Sequence, residues 1–320
     1  MMDVQNVLIP GGGGAAGIGA IKSLKMCKHQ GKIVASDSNL LSAGFYLADK
    51  GYVVPPANSP SFFREAMKLL EKEEIEVILP TSGYDILPYS KNKKILERKN
   101  IIPVVSDYAI LEHCLNKMKF YEVLQKRFDL PYTTTNPAEI NAYPCVVKPI
   151  FGKGSKNISI CKNEADVHKA LALKEPMLLQ EYLPGIEYTI DVLSDLEGNP
   201  LLAVPRERVE IKAGISSKGR IVFNTEIQNE CLRLAKYLGI QGPSCMQMKC
   251  DSEGRPKIME VNPRLGGATI MATYAGVNFP ELILKLVNSG DIELPTIKNI
   301  SMIRYYSEII LDAKGKLVKV

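Results

Sequence analysis

The fold is decided by KIMEVNPRLGG, the stretch at residues 257–267. Side chains alternate along a strand, so the Glu260 carboxylate and the Asn262 carboxamide point to the same side. Pro263 cannot continue a central strand, which places both oxygen donors at a strand end with Arg264 in the turn that follows. Carboxylate and carboxamide oxygens suit Mg²⁺, and a guanidinium suits phosphate. The stretch predicts a magnesium–phosphate site, with a solvated charged turn as the alternative.

Length and composition bound the class of protein. The chain has 320 residues, of which 46% are hydrophobic and 23% are charged, as in ordinary globular proteins, and it is long enough for two or three lobes. Its net charge of +5 is spread along the chain, which favours small anionic ligands weakly and gives no indication of nucleic-acid binding, so we expect no nucleic-acid partner. No apolar run approaches the roughly 20 residues that span a bilayer, and the start lacks a signal-peptide pattern. We therefore expect a cytoplasmic protein with no membrane partner.

Cysteine and histidine add no candidate metal ligands. The seven cysteines form no CxxC pair and lie mostly in apolar segments, which predicts reduced core thiols. His29, His113 and His168 have no partners at ligand spacing, so we interpret all three as structural.

A glycine-rich loop follows the first predicted strand, residues 7–10. Gly12, Gly14 and Gly17 match the GxGxxG spacing, and Asp37 follows at the end of the next predicted strand. This formal match to a dinucleotide fingerprint makes a nicotinamide-dependent oxidoreductase one functional hypothesis. Two alternatives stay open. A glycine loop at a helix N-terminus binds any anion, and glycines also allow a first turn to pack tightly.

Strand and helix patterns alternate over about the first 110 residues, which predicts a doubly wound α/β lobe. The loop at residues 81–85 follows a strand, on the side where open α/β sheets bind ligands. A helix over residues 116–127 is expected to carry the chain out of this lobe. Pro131 and the polar residues 133–137 predict a linker after it.

Further candidate residues lie in the middle of the chain. An apolar strand over residues 143–149 contains Lys148, and a lysine there costs desolvation free energy unless it meets an anion. Residues 150–157 form a turn rich in glycine and lysine. Its donors suit a triphosphate, although the spacing is not that of a Walker loop and a basic hairpin tip is the alternative. Glu181 and Glu187 are placed to accept hydrogen bonds from a base or a ribose.

Four segments together resemble the ATP-grasp superfamily. They occur in the order typical of that superfamily: CVVKP at 145–149, the turn at 152–156, QEYLPGIE at 180–187 and EVNPR at 260–264. Within the superfamily the chain looks most like stand-alone relatives of the carbamoyl phosphate synthetase large subunit and of biotin carboxylase. The likeness covers nearly the whole chain.

The resemblance implies the fold class and the domains. The fold is expected to be α/β, with α+β character in the ATP-grasp part. Residues 1–113 would form a Rossmann-like pre-ATP-grasp domain. A two-lobed ATP-grasp fold would follow, with a small lobe and its glycine-rich lid at residues 114–186 and a large lobe with the metal site at residues 187–320.

The resemblance also implies which residues contact the phosphates of ATP. Lys117 matches the basic residue that reaches the phosphates, but Asn116 replaces the usual acidic neighbour, which leaves Lys119 as an alternative. Lys148 would contact the α-phosphate and the base. The mobile lid over the β- and γ-phosphates would consist of Gly152, Lys153, Gly154 and Ser155.

The base and the ribose would be bound by the segment after the lid. Backbone groups would line the adenine pocket, with Glu181 near the exocyclic amine. Glu187 would accept hydrogen bonds from the ribose hydroxyls. The adenine-pocket residues would be Gln180, Glu181, Tyr182 and Leu183.

By the same resemblance, two Mg²⁺ ions would be bound, with Mn²⁺ as an alternative metal. Gln247 matches the position of the first metal oxygen, where many relatives carry an acid. Glu260 would bridge the two ions and Asn262 would hold the second. Arg264 would stabilise the phosphoryl group during transfer.

Two more arginines are candidates for catalysis. Arg206 and Arg208 alternate along a predicted strand and so share one face. One could bind phosphate and the other an acceptor carboxylate. Solvated ion pairs with Glu207 or Glu210 are the alternative.

The leading functional hypothesis is an ATP-dependent ligase that joins a small-molecule carboxylate to an amine or another nucleophile through an acylphosphate, with release of ADP and phosphate. Phosphorylation of carbamate or bicarbonate is the alternative within the superfamily. The oxidoreductase hypothesis leaves Lys148 and Glu260 unexplained, and a noncatalytic nucleotide-binding module leaves the metal residues unexplained. The sequence does not identify the acid substrate or the amine substrate. It is compatible with a homodimer.

Overall fold

The structure, a computed structural model, describes residues 5–152, 156–173, 175–290 and 292–318. The strands form three sheets, which contain five, four and six strands in chain order. Helices and strands are both present throughout, so the expected α/β fold class is confirmed. Within the described ranges, no helix has the length and apolar character needed to cross a membrane.

The first sheet is parallel and buried on both faces. Val7 and Ile9 pack in one apolar cluster and Leu8 in another, so helices cover both sides, as predicted for a doubly wound lobe. The strand order is β3-β2-β1-β4-β5. The strands are β1 (Val7–Pro10), β2 (Ile33–Asp37), β3 (Lys50–Val53), β4 (Val77–Ile78) and β5 (Ile102–Pro103). The helices are α1 (Ala15–Met26), α2 (Gly44–Leu47), α3 (Phe62–Lys72), α4 (Ile86–Lys91), α5 (Lys93–Glu97) and α6 (Tyr108–Leu115).

The second sheet is antiparallel and has the order β6-β9-β7-β8. Helix α7 (Lys117–Leu124) leads into it. Asn116 caps the N-terminus of this helix, because its Oδ1 accepts hydrogen bonds from Met118 N and Lys119 N, both at 3.0 Å. Helix α8 (Glu164–Leu171) packs on the sheet. The strands are β6 (Thr133–Thr134), β7 (Cys145–Pro149), β8 (Ser159–Cys161) and β9 (Met177–Glu181).

The linker predicted over residues 133–137 is wrong. Thr133 and Thr134 form strand β6, which pairs with β9. Their hydroxyls are satisfied locally, because Thr133 Oγ1 donates to Pro131 O at 2.9 Å and Thr134 Oγ1 donates to Glu139 Oε2 at 2.5 Å. β-branched residues favour strands once their polar groups are paired, and here that preference outweighs the polarity of the segment.

The third sheet is antiparallel, with the order β14-β13-β10-β11-β12-β15. Helix α9 (Thr225–Leu238) buries Ile227, Cys231 and Leu234 against one face and ends at Gly239, which has a φ of +71°. The opposite face is polar around Thr189 and Arg206, and it is apolar around Leu193 and Leu202, which belong to the same apolar cluster as residues of α1. The strands are β10 (Glu187–Ser194), β11 (Pro200–Lys212), β12 (Ile215–Ile221), β13 (Pro243–Cys250), β14 (Pro256–Asn262) and β15 (Ser301–Ile303). Helices α10 (Ile270–Tyr274) and α11 (Phe279–Ser289) follow β14.

Helix α1 fixes the first lobe against the third sheet. Ser23 Oγ and Thr273 Oγ1 lie 2.8 Å apart in a buried hydrogen bond, and Asn278 Nδ2 donates to Ser23 O at 2.9 Å. Apolar residues of α1 share a cluster with residues of α10 and α11. This packing holds the carboxyl ends of the first sheet opposite the polar face of the third.

The cysteines behave as predicted, because all seven are free thiols and all but Cys27 are buried. Among the residues that the structure describes, no group of three or more His, Cys, Asp or Glu side chains could hold a metal ion. His29 Nε2 contacts Gln5 O at 2.8 Å, in keeping with its structural interpretation.

Candidate active site

A cavity of about 1000 Å³ lies between the first lobe and the polar face of the third sheet. That is the upper end of the size range of small-molecule sites, roughly 300–1,000 Å³. The loop at residues 81–85, expected at a ligand-binding edge, lines it. The candidate residues that the cavity brings together are Lys117, Lys148, Gly152, Arg206, Arg208, Gln247, Glu260, Asn262 and Arg264.

A row of four polar residues crosses the third sheet and forms the cavity floor. Arg206 on β11 pairs with Thr189 on β10, Thr189 pairs with Gln247 on β13, and Gln247 pairs with Glu260 on β14. Directly paired residues of antiparallel strands point to the same face, and all four line the cavity. The next row on that face contains Asp191, Cys245 and Asn262.

The predicted metal group is connected by hydrogen bonds. Asn262 Nδ2 donates to Glu260 Oε1 at 2.9 Å, and Arg264 Nη2 donates to Asn262 Oδ1 at 3.3 Å. Strand β14 ends at Asn262, as the alternation and Pro263 predict. With Gln247 opposite Glu260, the donor set is one carboxylate and two carboxamides. Mg²⁺ is typically held by one or two carboxylates together with substrate phosphates, so these residues fit Mg²⁺.

Two lysines, the buried Lys148 and the partly buried Lys117, make the neighbouring wall cationic. Lys148 is 4% exposed, and its Nζ donates to Gln180 Oε1 at 2.8 Å. Burial lowers the pKa of Lys148 to about 8, an effect that Glu260 opposes and Lys117 reinforces. Burial also lowers the pKa of Lys117, whose Nζ donates to Gly152 O at 2.9 Å. Desolvated cations of this kind are stabilised by an anionic ligand.

The two candidate arginines are held by carboxylates. Arg206 is 3% exposed and donates to Asp191 Oδ2 from Nε at 2.7 Å and to Asp191 Oδ1 from Nη2 at 3.1 Å. Arg208 Nη1 lies 2.8 Å from Glu187 Oε1, and Nη2 donates to Gly214 O at 2.7 Å. Both arginines line the cavity.

The alternative pairing of these arginines with Glu207 or Glu210 is wrong. Glu207 is out of phase with the arginines along β11 and pairs with Arg220 at 2.7 Å. Glu210 lies past an irregularity in the β11–β12 register and pairs with Lys218 at 2.7 Å.

Sequence reasoning missed Asp191 as the partner of Arg206. A signal was present, because an acid stands between apolar residues of strand β10, in phase with Glu187. Which cation meets it depends on the register between β10 and β11, which a single strand does not reveal.

The residues expected to bind the base and the ribose lie outside the cavity lining, as far as the structure describes it. The Glu181 carboxylate, expected near the exocyclic amine, is bound by Lys257 Nζ at 2.7 and 2.9 Å. The ring of Tyr182 lies under Lys249, and Leu183 is buried. Gln180 contacts the lining residue Lys148, and Glu187 contacts the lining residue Arg208. The lid residues Lys153, Gly154 and Ser155 lie outside the described residues.

The glycine loop is packed tightly. A Cβ at Gly17 would lie 2.5 Å from Gly11 O, and one at Gly12 would lie 2.9 Å from Ala35 Cβ. Gly13 N donates to Asp37 Oδ2 at 2.9 Å. A dinucleotide site needs a free loop for the pyrophosphate and a free acid for the ribose. Here the acid binds the loop, which supports the packing alternative for these glycines.

Asp37→Asn is expected to change Mg-ATP affinity by less than about threefold: Asp37 lines the first-lobe side of the cavity, but its carboxylate already binds the Gly13 and Asn39 amides. Isothermal titration calorimetry of the variant and the wild type with Mg-ATP measures this. A loss of tenfold or more would mean that the first lobe holds the nucleotide.

Comparisons with known proteins identify families, proteins and structures that are similar to this chain. A family model described as "ATP-grasp in the biosynthetic pathway with Ter operon" matches residues 174–309, and one described as "PylC-like, N-terminal domain" matches residues 7–105. The carbamoyl phosphate synthase large chain of Clostridium botulinum (strain Eklund 17B) is 27% identical over 277 residues, which cover 78% of this chain and 25% of that protein. The chain thus spans about a quarter of the length of such curated relatives.

Solved structures show the same fold at low sequence identity. N5-carboxyaminoimidazole synthetase from Staphylococcus aureus, complexed with ADP, has a TM-score of 0.75 and 17% identity, over 97% of this chain and 83% of that one. Biotin carboxylase from Campylobacter jejuni, in a complex with β-γ-ATP, has a TM-score of 0.72 and 16% identity, over 92% of this chain and 74% of that one.

Proposed function

This chain belongs to the ATP-grasp superfamily, and we propose that it is an ATP-dependent ligase that joins a small-molecule carboxylate to an amine or another nucleophile. One observation carries the proposal. In a single cavity, the desolvated cations Lys117 and Lys148 stand beside the oxygen donors of Glu260 and Asn262 and the guanidinium of Arg264. This is the combination that phosphoryl transfer from a magnesium-bound nucleotide needs.

We assign the nucleotide to the side of the cavity formed by the lysines. Lys117 and Lys148 would contact the phosphates, and Gly152 with residues 153–155 would cover them. Residues 180–183 would bind the base. The Glu187 carboxylate contacts Arg208 Nη1 at 2.8 Å through Oε1, and it would also accept a hydrogen bond from a ribose hydroxyl.

We assign the metal to Gln247, Glu260 and Asn262, with two Mg²⁺ ions and with Mn²⁺ as a substitute. Bound there, the metal supplies neutralisation of the phosphate charge. Glu260 is the one charged member of the set, and Arg264 adds a guanidinium from the turn after β14.

The proposed reaction has two steps. A carboxylate oxygen of the acid attacks the γ-phosphorus of ATP, the bond to the β,γ-bridging oxygen breaks, and ADP leaves. The nucleophile then attacks the acyl carbon, inorganic phosphate leaves, and an amine loses one proton to solvent. Arg206, Arg208 and Arg264 bring guanidinium groups to the cavity, where they neutralise the acid and the phosphoryl oxygens.

Phosphorylation of carbamate or bicarbonate is the second candidate. It is favoured by the similarity to carbamoyl phosphate synthase large chains. The comparisons give no support to the oxidoreductase hypothesis.

We retain the division into residues 1–113, 114–186 and 187–320 as a proposal, supported by the three separate sheets.

Trapping with hydroxylamine tests the proposed function without knowledge of the amine. The protein is incubated with Mg-ATP, hydroxylamine and a panel of carboxylic acids. We expect equal amounts of ADP and hydroxamate with a subset of the acids. ADP release that depends on bicarbonate, without hydroxamate, would support the second candidate instead.

Thermal unfolding provides the matching binding test, because a ligand of the native state raises the unfolding temperature. We expect stabilisation by Mg-ATP and none by NADH. Stabilisation by NADH alone would overturn the proposed function.

A further inference from the structure

A buried carboxylate stands behind the cavity wall with no role in the reaction described so far. Asp191 is 1% exposed and does not belong to the cavity lining formed by the described residues, whereas its partner Arg206 does. Two parallel hydrogen bonds, at 2.7 and 3.1 Å, fix the plane of the Arg206 guanidinium against this carboxylate. Asp191 accepts hydrogen bonds from two of the five N–H groups of Arg206, those on Nε and Nη2, so it fixes the orientation of the guanidinium through that edge.

The same carboxylate also holds the loop that follows Arg264. Thr269 Oγ1 donates to Asp191 Oδ1 at 2.7 Å and accepts a hydrogen bond from Gly266 N at 2.8 Å. A Cβ at Gly266 would lie 3.0 Å from Asp191 Oδ1, so the loop backbone packs directly on the carboxylate. Gly267 and Ala268, between these two anchors, line the cavity.

A buried ion pair of this kind contributes little net free energy to the stability of the folded protein. Removing both charges from water costs several kcal/mol per ion, and apolar residues of similar volume often stabilise a protein as well or better. What the pair supplies here is geometry, because one carboxylate sets the position of a cavity arginine on β11 and of the loop after β14.

We propose that Asp191 is a positioning residue for phosphoryl transfer: through Arg206 and Thr269 it holds a guanidinium and the Gly266–Ala268 loop where the acid meets the γ-phosphate. This inference rests on the proposed function. No hydrogen bond or ion pair of the described residues connects Asp191 directly to Lys117, Lys148 or Glu260. Mg-ATP binding therefore survives when the Asp191 network is cut, and the transfer step does not.

The first test uses a matched pair at Thr269. Thr269→Val keeps the shape of the side chain and removes the hydroxyl that links Asp191 to Gly266, whereas Thr269→Ser keeps the hydroxyl. In the hydroxylamine assay, with the best acid of the panel, we expect Thr269→Ser to retain kcat within about twofold. Thr269→Val should lower kcat by about 10- to 100-fold, the range observed when a hydrogen-bond partner of a metal ligand is removed. The KM for ATP and the thermal shift with Mg-ATP should stay within about twofold of the wild type.

The second test asks whether Asp191 acts through Arg206. Asp191→Asn should lower kcat by about 10- to 100-fold, with the KM for ATP unchanged. The double variant with Arg206→Gln should be no slower, within about threefold, than Arg206→Gln alone, because residues that act as a unit give non-additive effects. If Asp191→Asn does not fold, the Thr269 pair still decides the matter.

Wild-type kcat in Thr269→Val, or in a folded Asp191→Asn variant, would overturn the inference, as would a KM for ATP that rises in step with the loss of kcat. Fully additive losses in the double variant would also overturn it. These outcomes leave the proposed function standing. A wild-type protein that releases no ADP with any acid or with bicarbonate would instead overturn the proposed function, and this inference with it.

Discussion

Glu260→Gln is expected to lower the rate of ADP formation by about 10²- to 10³-fold while the protein stays folded. Of the three proposed metal residues, Gln247 and Asn262 are neutral, so Glu260 supplies all the formal negative charge that the protein offers the cation. Glutamine has the same shape, and its Oε1 can still accept the hydrogen bond that Asn262 Nδ2 now donates at 2.9 Å. The substitution therefore removes the charge and preserves the packing.

The rate is measured as ADP release in the hydroxylamine assay over a range of Mg²⁺ concentrations, and folding is checked by thermal unfolding without ligand. The matched control is Glu122→Gln on α7, an exposed position outside the cavity lining, which should leave the rate unchanged. Arg264→Ala should show a loss similar to that of Glu260→Gln. A Glu260→Gln variant that is fully active would remove the metal site from this end of β14.

The end of β14 could be predicted because its determinants are local. Period-two alternation places Glu260 and Asn262 on one face, and Pro263 stops the strand. The structure ends β14 at Asn262 and connects both side chains through a hydrogen bond. The doubly wound first lobe was predictable for a similar reason, since each buried strand and amphipathic helix carries its own periodicity.

The partners of the charged groups could not be predicted, because they depend on register between strands that are distant in sequence. Arg206 meets Asp191 only because β11 pairs with β10 in one particular alignment. The hydrogen bond from Gly13 N to the Asp37 carboxylate likewise depends on how the loop after β1 packs against the end of β2. The spacing of the glycines is the same whether the loop binds a pyrophosphate or its own aspartate.

Lys148→Met is expected to weaken Mg-ATP binding by about 10- to 100-fold without lowering the stability of the free protein. A hydrogen bond to a charged group is worth about 1.5–3 kcal/mol, which sets the size of the loss in affinity. The free protein tolerates the change because Lys148 is 4% exposed and an ammonium there is poorly solvated. Titration calorimetry with Mg-ATP and thermal unfolding without ligand measure the two effects, and Lys126→Met at an exposed position is the control.

The pH dependence separates the charge of Lys148 from its volume. In the free protein, burial lowers the pKa of Lys148 to about 8 from its ordinary value of 10.5. ATP favours the protonated form, so wild-type affinity should fall as pH rises above about 8, whereas the Lys148→Met affinity should not show this fall. A shared decline in both proteins would place the titrating group elsewhere.

The stability of the free protein should depend on pH with the opposite sign. Below pH 8 Lys148 is protonated in the native and the unfolded chain, and the cost of burying the ammonium is fully present. Between pH 8 and 10.5 the unfolded chain binds more protons at this position than the native chain does, so the cost fades as pH rises. Any stability gained by Lys148→Met should thus be greatest below pH 8 and absent above 10.5. A buried ammonium that serves an anionic ligand destabilises the free protein, and its burial is compensated only when the ligand binds. A Lys148→Met variant that is several degrees less stable at pH 7 would therefore show that Lys148 serves mainly as a structural partner of Gln180.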